Sequence, residues 1–247
     1  MTSSLLVTGA TGRLGEAAVR LLAERGDRLL LTGRNAERLA ELEKTFGEPG
    51  VVEVLHVDVS DPDGARRAAA LAAERFDGLS GLVHLVGTFD VGPLMLTDVA
   101  AYQAVMASNF YSAVVTSQAV LPHLTDGGRL VFFGSPLAAE PMGGLSAYAA
   151  AKAALEAWVR SISHEVKKRG VHANLVSLTL VDTPEMRRER PGVVLDDTVS
   201  DELVARVIGF LTSEAADGLY GSVVPVVGKF GFASSLAGGP PAGRGPR

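Results

Sequence analysis

Seven short apolar segments rich in valine and leucine are distributed along the chain. Most of them do not alternate between apolar and polar positions, which is typical of strands buried on both faces of a parallel sheet. The predicted strands are Leu5–Val7, Arg28–Thr32, Val51–Val57, Gly81–Val86, Arg129–Gly134, Val171–Ser177 and Ser222–Val227.

Longer amphipathic segments lie between these strands, with apolar residues recurring on one helical face. The predicted helices are Leu14–Arg25, Ala36–Phe46, Gly64–Glu74, Ala100–His123, Ala147–Arg169 and Asp201–Leu211. Regular alternation of strands and helices predicts one α/β domain, with a doubly wound parallel sheet of about seven strands and helices on both faces. We expect this domain to span residues 1–233, and the Gly/Pro-rich residues 234–247 to form a flexible tail.

A glycine-rich turn joins the first predicted strand to the first helix. The segment TGATGRLG brings backbone N–H groups and the positive end of a helix dipole to one point, as in Rossmann dinucleotide sites. A glycine trio by itself can also be only a turn. The residues expected to bind the cofactor phosphates are Gly9, Thr11, Gly12, Arg13, Leu14 and Gly15.

The end of the second strand bears on which dinucleotide binds. An acid in this region binds the ribose 2′-hydroxyl of NAD, whereas an arginine accommodates the 2′-phosphate of NADP. This chain has Gly33 and Arg34 there and no acid, and Arg13 offers a second positive charge. We therefore expect NADP(H) to be preferred over NAD(H), although Arg34 is also compatible with a solvated residue before a helix.

Composition narrows the class of protein. The 247 residues are 47% hydrophobic and 21% charged with a formal net charge of −5, which argues against a nucleic-acid partner. The chain has no cysteine, and its five histidines lack zinc-site spacing, so we expect no disulfide and no metal. The start of the chain lacks a signal-peptide pattern and no apolar run has membrane-spanning length, which predicts a cytoplasmic protein without a membrane partner.

The stretch SAYAAAKAAL, residues 146–155, contains two long polar side chains, Tyr148 and Lys152. A helix places residues four apart on the same face. The pair alone is a weak motif, and it is also compatible with two solvent-facing side chains.

In their order along the chain, these features resemble the short-chain dehydrogenase/reductase family, over nearly the whole sequence to about Val227. The landmarks are TGATGRLG, LTGRNAERLAEL, Asp58 and Val59 in VDV, Asn109 in MASNF, Ser135 placed 13 residues before Tyr148, YAAAK, and NLVSLTLVDTP. Each landmark is weak alone, and the shared order and spacing make the resemblance strong.

The resemblance implies a catalytic set of Asn109, Ser135, Tyr148 and Lys152. Tyr148 would be the general acid/base, and Ser135 would hydrogen-bond the substrate carbonyl. Lys152 would lower the pKa of Tyr148 and bind the nicotinamide ribose, while Asn109 would complete a water-linked proton relay. The implied cofactor contacts outside the glycine turn are Asp58, Val59, Gly87, Tyr148, Lys152, Val181 and Thr183.

Three departures from the family pattern stand out. The glycines follow T-G-x-x-G-x-x-G, the usual Asn-Asn-Ala-Gly is replaced by His84–Gly87, and the usual Pro-Gly is replaced by Leu178–Thr179. None of them removes a proton donor or the phosphate turn. A polar, proline-broken segment at about residues 183–203 is expected to form a substrate lid, whose arginines either meet an anionic substrate or form a solvated face.

The leading hypothesis is an NADP(H)-dependent oxidoreductase that interconverts a small ketone or aldehyde and an alcohol. An NADP-binding regulator or scaffold without turnover is the alternative, favoured by the glycine spacing and His84–Gly87. A nucleotide-sugar epimerase or dehydratase is less favoured, because the chain after Lys152 leaves little room for a substrate domain. The resemblance also implies a homotetramer or homodimer built on Ala100–His123 and Ala147–Arg169.

Overall fold

A computed structural model describes residues 3–47, 51–189 and 198–228. Its centre is a seven-stranded parallel sheet of β1 Ser4–Thr8, β2 Arg28–Gly33, β3 Val52–His56, β4 Leu79–His84, β5 Leu124–Gly134, β6 His172–Leu178 and β9 Val223–Val226. The strand order in this sheet is β3-β2-β1-β4-β5-β6-β9. The short strands β7 Val181–Asp182 and β8 Val199–Ser200 lie outside it. The predicted doubly wound parallel sheet is confirmed.

Helices cover both faces of the sheet, as the apolar strands require. The helices are α1 Gly15–Glu24, α2 Ala36–Phe46, α3 Pro62–Phe76, α4 Val99–Met106, α5 Ser112–Val120, α6 Ser146–Val166, α7 Pro184–Glu189 and α8 Asp201–Leu211. Leu5 and Val7 pack with α1, α2 and α8, whereas Leu6, between them in β1, packs with α3, α5 and α6. Burial on both faces explains why the strands do not alternate in polarity.

The predicted helix Ala100–His123 is helical throughout, from Val99 to His123, but it is not a regular α-helix. A π-helical turn at Ala107–Tyr111 separates α4 from α5. Within this turn, the Asn109 side chain donates to the backbone oxygens of Val105 at 3.0 Å and Thr88 at 2.9 Å. A side-chain amide bonded to the carbonyl four residues earlier fits a widened turn, and such turns are frequent at functional sites.

The segment expected to form a lid contains short elements that its polar composition did not predict. β7 pairs in parallel with β8, and α7 lies between them. Thr183 caps α7 by accepting a hydrogen bond from the Met186 N–H at 3.1 Å. Residues 190–197 of the expected lid and the expected tail 234–247 lie outside the described residues.

In the described ranges, every helix lacks either the length or the apolar character needed to cross a bilayer.

We expect Phe132→Ala to lower the free energy of unfolding by about 3–5 kcal/mol, because it removes a fully buried ring and leaves a cavity. Phe132 has 0% exposure, and its ring lies 5.5 Å from the Trp158 ring between β5 and α6. Urea denaturation with an unchanged m-value measures the loss. Phe210→Ala, at a ring that is 42% exposed, is the control, and a similar loss in both variants contradicts the assigned core.

Candidate active site

The candidate site lies at the carboxyl ends of β1 and β4. These strands are neighbours, although each continues the sheet in the opposite direction, to β2 and to β5. Ligands of open α/β sheets bind in the crevice at such a reversal of strand order. Thr8 and His84 are paired residues at the last positions of the two strands.

The glycine-rich turn has a shape that other residues do not permit. Gly9 has φ +70°, and a Cβ at Gly15 would lie 1.7 Å from the Ala10 carbonyl oxygen. Helix α1 then begins without a side-chain cap. The Gly15 N–H donates to the Gly12 carbonyl oxygen at 3.0 Å, which leaves the N–H groups of the next two residues for an anion. The turn therefore fits a dinucleotide phosphate.

A cavity of about 430 Å³ lies beside this turn, and Gly12, Arg13, Thr183 and Arg187 are among the residues that line it. It joins the glycine turn to α7 and to the start of α8. Ser135 and Tyr148 lie outside its lining, so the cavity belongs to the phosphate end of the crevice.

Of the two arginines expected to attract the 2′-phosphate, the structure leaves one free. Arg13 forms an ion pair with Glu189 of α7, so its charge is already balanced, contrary to the expectation of an open second charge. Arg34 is exposed, and its guanidinium has no partner within the described ranges. Its carbonyl accepts a hydrogen bond from His56 Nε2 at 3.1 Å. A Cβ at the preceding Gly33 would lie 2.6 Å from Thr11 Oγ1, so the glycine turn packs directly against the end of β2.

Asp58 and Val59 follow β3 at the same edge of the sheet. Asp58 Oδ1 accepts a hydrogen bond from the Ser60 N–H at 2.9 Å, and Val59 is buried against α3. Leu14, the residue before α1, packs against the core of the opposite face. The contact of these three residues with the cofactor stays a prediction.

Tyr148 and Ser135 come together at the opposite end of the crevice. Ser135 follows β5, and Tyr148 lies in the first turn of α6. Burial raises the pKa of Tyr148 to about 12, and a hydrogen-bonding interaction with the Ser135 hydroxyl opposes this rise. The direction is opposite to the expected lowering by Lys152. The reason is that desolvation of the phenolate dominates, while the Lys152 ammonium lies 5.6 Å from the centre of the tyrosine ring.

Lys152 is buried one helical turn after Tyr148. Its ammonium donates to the Phe133 carbonyl oxygen at 2.8 Å, and burial lowers its pKa to about 8. An ammonium has three donors, so this bond leaves two for other partners. The Lys152 side chain therefore faces the crevice with unused hydrogen-bonding capacity.

Asn109 faces the same point from the π-helical turn. Its Oδ1 is buried and has no hydrogen-bond partner, although its amide nitrogen has two. A Cβ at Gly87 would lie 2.7 Å from this oxygen and 3.5 Å from Lys152 Nζ. Gly87 thus lets the backbone approach Asn109 Oδ1 where a side chain would clash. The unpaired Asn109 oxygen and the unused donors of Lys152 fit a bound water or a ligand hydroxyl.

Val181 and Thr183, expected near the nicotinamide, lie after β6. Val181 is in β7 and packs against the core, and the buried Thr183 hydroxyl is used in capping α7. Thr179, in place of the usual glycine, donates its hydroxyl to the Val227 carbonyl oxygen at 3.1 Å. This bond ties the segment to the end of β9 without a Pro-Gly turn.

The lid arginines are paired within their own segment. Arg187 binds Asp182 through two hydrogen bonds of 2.6 Å, and Arg188 lies 3.6 Å from Glu185. Arg190 lies outside the described residues. The two described arginines therefore match the expectation of a solvated face rather than of an anion site.

Sequence reasoning missed the role of His84, treating it only as a lost asparagine. His84 Nδ1 lies 2.8 Å from Thr8 Oγ1, and Nε2 lies 3.1 Å from Ser112 Oγ. Because the Ser112 hydroxyl already donates to the Ser108 carbonyl at 2.6 Å, it accepts from Nε2–H, and Thr8 donates to Nδ1. A neutral His84 thus connects β1, β4 and α5 beneath the crevice. Its departure from the family pattern was the one available signal.

Comparisons with known proteins agree with this geometry. A sequence model of the family described as "Enoyl-(Acyl carrier protein) reductase" matches residues 9–228. The 3-oxoacyl-[acyl-carrier-protein] reductase FabG of Pseudomonas aeruginosa is 30% identical over 237 residues, which cover 90% of this chain and 95% of that protein. The 11-beta-hydroxysteroid dehydrogenase 1A of Arabidopsis thaliana is 34% identical over 178 residues, which cover 70% of this chain and 50% of that protein.

A solved structure extends the comparison to the fold. The NADPH-bound short chain oxidoreductase of Pseudomonas aeruginosa PAO1, described as containing an atypical catalytic center, superposes with a TM-score of 0.83 at 27% identity. The match covers 92% of this chain and 95% of that one. The chain therefore belongs to the short-chain dehydrogenase/reductase family. It is an oxidoreductase of the kind that acts on CH–OH groups with a nicotinamide cofactor.

The buried His84 generates a prediction about acid stability. Burial, with a smaller effect of the Lys152 charge, lowers the pKa of His84 from 6.5 to about 3. Above pH 6.5 the histidine is neutral in both states. Below it, the unfolded chain takes up a proton that the folded chain excludes, so stability falls as pH falls from 6.5 towards about 3. We expect the His84→Gln variant to lose this component, which is about 1.4 kcal/mol per pH unit.

Urea denaturation of both proteins from about pH 7 to about pH 5 measures the difference in slope. His164→Gln, at an exposed histidine on α6, is the control and should keep the wild-type slope. Equal slopes in the wild type and His84→Gln would show that His84 is protonated when folded.

Proposed function

We propose that this enzyme reduces a ketone or aldehyde to an alcohol, or catalyses the reverse reaction, with NADP(H) and a Ser135–Tyr148–Lys152–Asn109 site. The observation that carries the proposal is the meeting of the Ser135 and Tyr148 hydroxyls beside the buried Lys152 ammonium. When bound, the reduced nicotinamide supplies the hydride that becomes the C–H bond of the alcohol.

Tyr148 is the proton donor in this proposal. Burial raises its pKa further above neutral pH and so favours the neutral phenol, which is the state needed to protonate a carbonyl oxygen as that oxygen gains negative charge. The Ser135 hydroxyl donates a second hydrogen bond and orients the carbonyl oxygen towards the phenol. Reduction thus starts from the form of Tyr148 that burial favours.

Lys152 and Asn109 complete the proton path. The developing phenolate of Tyr148 is stabilised by the positive charge of Lys152. The two free donors of Lys152 are directed to the nicotinamide ribose and to a water, which Asn109 Oδ1 also holds. Protons then reach Tyr148 from solvent through this water.

For the remaining cofactor contacts we propose the set expected from the sequence. The glycine turn from Gly9 to Gly15 would hold the pyrophosphate, and Asp58, Val59 and Gly87 would border the adenosine half. Val181 and Thr183 would hold the carboxamide. We propose NADP(H) over NAD(H) because Arg34, at the end of β2, has no partner among the described residues, while Arg13 is paired with Glu189.

The wider expectations stay proposals. Residues 1–233 form one unit with a lid near residues 183–203, and the protein acts in the cytoplasm on a small carbonyl or alcohol substrate. Members of this family are commonly oligomeric. We propose a homo-oligomer formed through α4, α5 and α6.

We expect Tyr148→Phe to lower kcat for carbonyl reduction by at least about 100-fold, because it removes the proton donor and little else. Cofactor binding should stay within about threefold of the wild type. NADPH oxidation over a panel of ketones, aldehydes and 3-oxoacyl thioesters measures turnover, and NADPH fluorescence measures binding. Wild-type protein that binds NADPH and turns over none of the panel would favour the regulator hypothesis instead.

We expect Arg34→Leu to weaken NADPH binding by about tenfold and to leave NADH binding nearly unchanged, because the guanidinium pairs with the 2′-phosphate alone. Dissociation constants for both cofactors measure the effect. Arg67→Leu, at an exposed arginine of α3, is the matched control. Equal weakening of NADPH and NADH would remove Arg34 from the phosphate site.

A further inference from the structure

The Tyr148 ring lies against an exposed apolar side chain. The Phe89 ring contacts it edge-on, with ring centres 5.0 Å apart and an interplanar angle of 73°. Phe89 is nevertheless 53% exposed. A large aromatic surface thus lies open to solvent directly beside the ring that carries the reacting hydroxyl.

Further exposed apolar side chains lie in the same segment as Phe89 and in a second segment that is hydrogen-bonded to it. The segments 88–98 and 139–146 are joined by a hydrogen bond of 2.8 Å from the Gly92 N–H to the Gly144 carbonyl. We call their exposed apolar residues the apolar rim: Phe89, Val91, Leu94, Met95, Leu96 and Met142, which are 53–90% exposed. Beside it, Val91, Pro93 and Leu96 help line a groove of about 400 Å³. A concentration of exposed apolar side chains at a crevice marks a binding surface.

The charges of these two segments are of one sign. Residues 88–98 and 139–146 contain Asp90, Asp98 and Glu140, and neither lysine nor arginine. The two described arginines of the lid, Arg187 and Arg188, are paired with Asp182 and Glu185. A carboxylate or phosphate on the substrate would therefore lack a counter-charge here and would meet like charge.

We propose that the substrate is an uncharged, apolar carbonyl compound or its alcohol, and that Phe89 forms the apolar wall that holds it beside Tyr148. This inference rests on the proposed reaction at Tyr148. The apolar rim shields the rest of the substrate from water, while Ser135 and Tyr148 bind its single polar group. Acyl groups carried on a phosphate-bearing thiol are disfavoured as substrates.

Two matched substrate pairs test the charge preference. The first is the 3-oxobutanoyl thioester of pantetheine against that of 4′-phosphopantetheine, which share the reacting group and differ only in the phosphate. The second is 4-phenylbutan-2-one against the same ketone with a ring carboxylate. For each pair that the enzyme turns over, we expect kcat/KM to be at least about tenfold higher for the neutral member than for the charged member. Equal or better turnover of the charged members would overturn the proposal.

Two sets of variants locate the effect. Phe89→Ala should lower kcat/KM for 4-phenylbutan-2-one by about tenfold, mainly through KM, and Phe210→Ala should not. The double variant Asp90→Asn, Glu140→Gln should narrow the neutral-to-charged ratio, with Glu24→Gln, Glu37→Gln as its matched control. A Phe89→Ala variant with unchanged KM would indicate that the apolar rim serves another contact, such as a second copy of the chain.

A binding measurement separates this proposal from the proposed function. Saturation-transfer NMR on the wild type and on Phe89→Ala detects ketone binding without turnover. Selective binding of the neutral ketone by an inactive wild type would overturn the reaction and leave the preference for an apolar ligand. Turnover that favours the charged members would overturn the preference for an apolar ligand and leave the proposed reaction. Absence of both turnover and binding would overturn both.

Discussion

The rest of the site depends on the hydrogen bonding of the buried Lys152 ammonium. Taking a charge out of water is costly unless partners replace the lost hydration. The Phe133 carbonyl at the end of β5 supplies one partner, and the backbone at Gly87 lies close to the ammonium and to the buried Asn109 Oδ1. A strand end, a π-helical turn and a glycine are thus all required around one side chain.

Hydrogen bonds of His84 replace those of the asparagines that the family usually has at the end of β4. His84 has a donor and an acceptor at opposite sides of its ring, and these satisfy Ser112 and Thr8 respectively. Burial keeps it neutral, so it adds no charge beside Lys152. A departure that weakens a family motif is therefore compensated by a different hydrogen-bonding network at the same strand ends.

Much of the fold could be predicted because its signals are local. Apolar runs such as Leu5–Val7 must be buried on both faces, and the glycine turn requires residues that tolerate φ +70° at Gly9 and backbone contact at Gly15. The π-helical turn within Ala100–His123 was not predictable, because it depends on the hydrogen bond of Asn109 to Thr88 in another segment. The two-residue strands β7 and β8 are too short to leave a pattern.

By itself, then, the sequence determined the strand and helix order, the phosphate turn and the list of polar groups available for chemistry, because each follows from neighbours along the chain. The tertiary structure alone decided that Arg13 pairs with Glu189 while Arg34 has no partner in the described part of the chain, that the pKa of Tyr148 rises, and that Phe89 lies against Tyr148. The physical reason is that charge pairing, desolvation and ring packing depend on distances between residues far apart in the chain.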